Sequence, residues 1–179
     1  MNRKLTIVGV AGVVLVAALV VVAQQDKSKR PSPPAQATWD LGGGKVVTID
    51  YSSPRAKGRK VYGELVPFGQ VWRTGANEAT TLTAPVDINI GGATVPAGKY
   101  TVFTIPDKDK WTLIISKKTG EWGTDYPGQS NDLARVDMKA SAVPTPVENF
   151  TISFEKGGAG ANLHIDWETT RASVPVSKK

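Results

Sequence analysis

The 179-residue chain has no cysteine. This excludes a disulfide framework, a thiolate metal site, a cysteine nucleophile and a lipid-modified cysteine, so the domain must be held by its apolar core. Histidine occurs once, as His164, and one imidazole without a thiolate makes no usual zinc site. No metal or other cofactor is expected. No G-x-S-x-G elbow is present, which removes the α/β-hydrolase arrangement. No glycine-rich phosphate loop is present either, because Gly42, Gly43 and Gly44 precede a strand pattern and not a helix. After residue 24 no stretch keeps apolar spacings of three and four, and no repeat of fixed period is visible. An excess of charge on the folded part is also missing. The net charge is +6, but Arg3, Lys4, Lys27, Lys29 and Arg30 against Asp26 account for four of those charges within the first thirty residues. Lys178 and Lys179 match the other two. The nearly neutral remainder excludes a nucleic-acid partner.

What is present begins with an uncharged apolar run over residues 5–23. Nineteen residues at helical rise span about 28 Å, close to the hydrocarbon core of a bilayer. The length predicts an N-terminal apolar helix that anchors the chain in a membrane. Val21 and Ala23 have the spacing for cleavage before Gln24, so a removable signal peptide is the other reading. The charges on the two flanks nearly balance and do not set the orientation. Either role places the following domain outside the cytoplasm, membrane-anchored through residues 5–23 if the run is uncleaved and secreted if it is cut. Residues 24–37 are polar and proline-rich and read as a semi-rigid spacer. Residues 38–179 then form one domain.

Within that domain period-two alternation recurs. Val47, Ile49 and Tyr51 share a face, as do Val86, Ile88 and Ile90. Gly91 and Gly92 read as a two-residue hairpin turn, and 95–98 as another turn leading into residues 99–105. Trp111, Leu113 and Ile115 follow, then a run over 133–139, then Phe150, Ile152 and Phe154. Leu163, Ile165 and Trp167 make a further run, and Ala172, Val174 and Val176 the last. Eight or more strands with short turns predict an all-β antiparallel sandwich or squat barrel, jelly-roll-like, preceded by the apolar helix. His164 alternates out of phase with its neighbours and is expected on the solvated face beside Asp166, where a histidine–carboxylate pair could relay a proton.

Two segments break the strand pattern. Residues 51–81 carry a basic loop with Arg55, Lys57, Arg59 and Lys60, and end in Trp72, Arg73, Thr74, Gly75, Ala76, Asn77 and Glu78. An indole beside a guanidinium, then a glycine turn and two polar side chains, can form a ledge. The ring offers a face to a sugar or an acyl chain, and the guanidinium offers forked donors to a carboxylate or phosphate. The opposing reading makes Trp72 core and pairs Arg73 with Glu78 or Glu64. The second segment, 117–132, is a long glycine-containing connection with Trp122 and Tyr126. Its aromatics either close a site or fold onto the rim of the sheet.

The stretches SPRAKGRKVYG, LVPFGQVWRTGANEAT, VPAGKYTVFTIP and EWGTDY give the chain a resemblance, over roughly residues 39–176, to the bacterial family catalogued as domain of unknown function 2911. The resemblance implies an exported or envelope-associated β-rich domain, in the periplasm or at the cell surface, without an agreed activity. It assigns no catalytic or binding residue. Three functions follow from the residues. The preferred one is a non-enzymatic binding or interaction module for a small molecule or glycan, with Arg55, Arg59, Trp72, Arg73, Asn77 and Glu78 as its surface, closed by Trp122 and Tyr126. The alternatives are a hydrolase of carbohydrate or another envelope polymer, using carboxylates such as Glu64 and Glu78, and a structural partner of an envelope protein.

Overall fold

The computed structural model describes residues 26–179. The apolar run 5–23, on which the expected helix, anchor and cleavage site rest, lies outside the described residues. Among those residues no helix is long and apolar enough to cross a membrane.

Nine strands follow a short 3-10 turn at Lys27–Lys29: β1 Pro34–Asp40, β2 Val46–Ser52, β3 Thr80–Ala84, β4 Ile88–Ile90, β5 Ala93–Val95, β6 Gly98–Ile105, β7 Lys110–Ser116, β8 Asp132–Gly157 and β9 Gly160–Lys178. They make one antiparallel sheet in the order β1-β2-β3-β6-β7-β8-β9-β4-β5. The sheet curls so that the continuation of β2 meets β8. Ala56 N–H donates to Glu148 O at 2.9 Å, Phe150 N–H to Pro54 O at 2.8 Å, and Ser53 Oγ to Phe150 O at 2.6 Å. The all-β class therefore holds, with every strand in one hydrogen-bonded system.

The alternating residues fill the inside of the curl. Val47 and Ile49 of β2, Leu82 of β3, Trp111, Leu113 and Ile115 of β7, Phe150 of β8 and Trp167 of β9 are all buried there. On the other face Phe103 and Ile114 are also fully buried. The Tyr126 ring, from the long connection, lies edge-on to Phe103 at 5.3 Å and 74°.

Three expectations need adjustment. β1 begins at Pro34, inside the stretch read as spacer. A proline opening an edge strand gives up no ladder donor, so proline content there does not exclude a strand. The runs 133–139 and 150–154 are one strand, and so are 163–167 and 172–176. Register shifts at Ala142, Val147 and Thr151 absorb Pro144 and Pro146 as a bulged excursion within β8. In β9 Glu168 takes φ +53, which switches the buried phase from Leu163, Ile165 and Trp167 to Ala172, Val174 and Val176. Finally, His164 is buried, at 7% exposure. Its Nδ1 lies 2.7 Å from Ser173 Oγ and its Nε2 3.2 Å from Glu155 Oε2, because the switch in β9 brings Ser173 onto the face of His164. Asp166 is engaged by Arg171 through Nε at 2.8 Å and Nη2 at 2.6 Å, so no His164–Asp166 relay forms.

Candidate functional site

Between β2 and β3 the chain leaves the ladder and builds a wall over the end of the core. Trp72 and Thr104 exchange backbone hydrogen bonds at 2.8 and 2.9 Å, which pins the segment to β6. The Trp72 ring stacks on Trp167 with centroids 6.0 Å apart and planes 15° apart, and lies edge-on to Tyr62 and Phe150. Its Nε1 donates to Gly75 O at 3.1 Å. Next in the chain, Thr74 is buried in the left-handed region at φ +56, and Asn77 has the same φ. Thr74 Oγ1 lies 3.1 Å from Thr104 Oγ1, and Thr74 O accepts from Thr80 Oγ1 at 2.7 Å. Non-glycine residues keep such a φ only where the surroundings over-determine it, and such turns cluster at binding sites.

The turn fixes Arg73 at the edge of a cavity of about 340 Å³, lined also by Arg59, Gln70, Leu65, Trp72 and Thr124. Among the described residues no aspartate or glutamate lines it. Arg73 donates from Nη1 to Thr124 Oγ1 at 3.1 Å, and its buried Nε has no partner among the described residues. Burial lowers the Arg73 pKa, the sign of a cation short of compensation. Arg59 donates from Nε to Ala56 O at 2.9 Å and from Nη2 to Arg55 O at 2.6 Å. Neither guanidinium forms an ion pair among the described residues. Two cations and an aromatic wall without an acid are the complement of an anionic group joined to an apolar or sugar body.

The structure divides the residues singled out from sequence. Arg59, Trp72 and Arg73 line the cavity. Trp72 does so as a buried core residue with one face of its ring against Trp167, as the core reading has it. Arg55 turns to Ser53, donating to its carbonyl at 2.6 Å and to Oγ at 2.8 Å. Asn77 and Glu78 grip the segment before β1. Asn77 Nδ2 donates to Ser32 O at 2.9 Å, and Glu78 accepts from Lys27 Nζ at 2.8 Å and from Arg30 Nη1 at 3.0 Å. Partial burial raises the Glu78 pKa, but the bonds from Lys27, a backbone N–H and Arg30 outweigh it and bring the carboxyl down to about 2. Trp122 is 58% exposed and bridges to Glu78. Tyr126 donates to Asp132 and accepts from Arg135 at 2.8 Å while covering Phe103. The long connection thus contributes Thr124 to the cavity, between the two aromatics that drew notice. Ser32 and Trp167 also line the cavity. Ser32 carries no sequence signal within a proline-rich stretch, and Trp167 reads as an ordinary strand residue.

The carboxylates proposed for hydrolysis do not share a cleft. Glu64 pairs with Lys60 at 3.6 Å on the surface, and neither Glu64 nor Glu78 lines the cavity. A carboxyl held near 2 is ionised at neutral pH and has no proton to donate. The His164, Glu155 and Ser173 group is a chain of hydrogen bonds, but Ser173 lies mid-strand opposite Lys139 and not on a turn that could present backbone donors to an oxyanion.

No curated protein and no solved structure matches the chain. The family described as protein of unknown function (DUF2911) matches residues 32–176, nearly the whole described domain from Ser32 before β1 to Val176, the last core valine of β9, and the chain belongs to that family.

Proposed function

We propose that the domain is a non-enzymatic binding module, working outside the cytoplasm, for a small ligand that joins an anionic group to an apolar or sugar body. The observation that carries this reading is that Arg59 and Arg73, without an ion pair among the described residues, line one cavity beside Trp72 to which no described carboxylate contributes. Its volume of about 340 Å³ lies in the range of small-molecule sites. An anion there would supply the counter-charge that Arg73 lacks among the described residues, and the stacked Trp72 and Trp167 give a rigid wall that needs no ordering on binding. Delivery outside the cytoplasm rests on the apolar run 5–23 and on the export that the family resemblance implies.

Thermal unfolding of the full chain with hexanoate, hexyl phosphate and glucuronate tests the proposal, with hexanol and glucose as neutral controls. A ligand at one hundred times its Kd stabilises by about 2.7 kcal/mol, a rise in Tm of about 5–10 °C for a domain of this size. The acids should raise Tm and the neutral controls should not, and Arg73→Ala should abolish the rise. Equal shifts by acids and controls, or an unchanged response in Arg73→Ala, would overturn the reading.

A further inference from the structure

The strap before β1 fixes which way the cavity faces. Lys27 and Arg30 are held on Glu78 at 2.8 and 3.0 Å, Ser32 O is held by Asn77 at 2.9 Å, and Ser32 is itself part of the cavity wall. Only residues 24–26 separate Lys27 from Ala23, the last residue of the apolar run. However those residues are arranged, four Cα steps reach at most about 14 Å. With the run in a bilayer, this rim of the domain therefore stays close to the lipid headgroups. The surface there suits that place. Trp122, 58% exposed, pairs its backbone with Glu78, and tryptophan is the residue type enriched at membrane interfaces. Leu65, 44% exposed, stands on the cavity wall. Lys27, Lys29 and Arg30 outnumber Asp26 and Glu78, the carboxylates they pair with, and this leaves the rim one positive charge toward an anionic headgroup layer.

We infer that the Arg59–Arg73 cavity opens on the membrane-facing side of the domain and takes the anionic headgroup of a phospholipid from that membrane, with Leu65 and Trp122 at the bilayer interface. The inference rests on the binding reading above and on an uncleaved anchor. The phosphate meets the two guanidinium groups, and the acyl chains stay with the bilayer or lie along Leu65.

The full chain in nanodiscs of phosphatidylcholine containing one-fifth phosphatidylglycerol tests it, with native mass spectrometry counting the lipids that stay bound on release. Phosphatidylglycerol should be retained about tenfold over phosphatidylcholine, and Arg59→Gln and Arg73→Lys should each lower that preference. Arg59→Gln guards against a folding defect, since the wild-type guanidinium is tied to the protein only through two backbone carbonyls. A chain that fails to incorporate, shows no lipid preference, or keeps its preference in both variants overturns the inference. If hexyl phosphate still raises Tm in an Arg73-dependent way while no phosphatidylglycerol is retained, the pocket stands and its membrane source falls. If both responses are absent, both readings fall together.

Discussion

Gly75 is the residue on which the site's geometry turns. At φ +154, a Cβ there would lie 2.9 Å from Ser52 O and 3.2 Å from Thr80 Oγ1. The first contact is with backbone, which cannot swing aside. Gly75→Ala should therefore cost about 1–3 kcal/mol, the usual cost of forced overpacking. Urea unfolding would show this as a lower midpoint at an unchanged slope, and an unaltered midpoint would contradict the reading. The sequence made the cluster from Trp72 to Glu78 visible because an aromatic, a cation and a glycine fall together outside any period-two run. It did not show that Trp72 stacks on Trp167 or that Glu78 pairs with Lys27, 51 residues away. Both partners are set by tertiary folding, and no local pattern encodes them.

Among the elements, the strap over residues 26–33 is held chiefly by side chains, which makes it sensitive to acid. Glu78 has its pKa lowered from 4.5 to about 2. The clamp thus contributes fully above about pH 4.5 and is lost as pH falls toward 2. Protection at the amides of Ser28, Lys29, Arg30 and Ser32, each rate taken relative to the intrinsic exchange rate at that pH, should fall through that window. In Glu78→Gln that protection should already be low at pH 7 and change little on acidification. Undiminished protection in that variant would mean that Asn77 and the Ser53–Pro33 backbone bond secure the strap without Glu78. Among the strands, β2, β6 and β7 were legible from alternation. The unity of β8 was not, since Pro144 and Pro146 carry the composition of a turn, and only the pairing of Val147 with Glu168 shows that the strand resumes.

At the scale of the whole molecule, the folded state holds His164 against its ordinary titration. Burial and the nearby Arg171 lower its pKa from 6.5, outweighing Asp166 and Glu155. The unfolded chain therefore takes up a proton at a pH where the folded one does not. The contribution is complete above about pH 6.5 and is lost as pH falls through the folded-state value. Denaturant midpoints measured from pH 7.5 down to 5 should fall, and His164→Gln should flatten that dependence; an identical slope in the two proteins would assign it to other groups. The all-β class was readable from composition and period. The curl of the sheet was not, because it depends on β2 meeting β8.

That meeting also governs how the fold is reached. Ser53 bonds to Phe150 across 97 residues, and Ile88 in β4 pairs with Lys178 near the end of β9. Such high contact order slows folding, because long loops must close before their contacts repay the entropy. An N-terminal fragment emerging from a ribosome cannot complete the sheet. The curl therefore closes only once β8 and β9 have been made, so folding is completed after the last strand and not strand by strand.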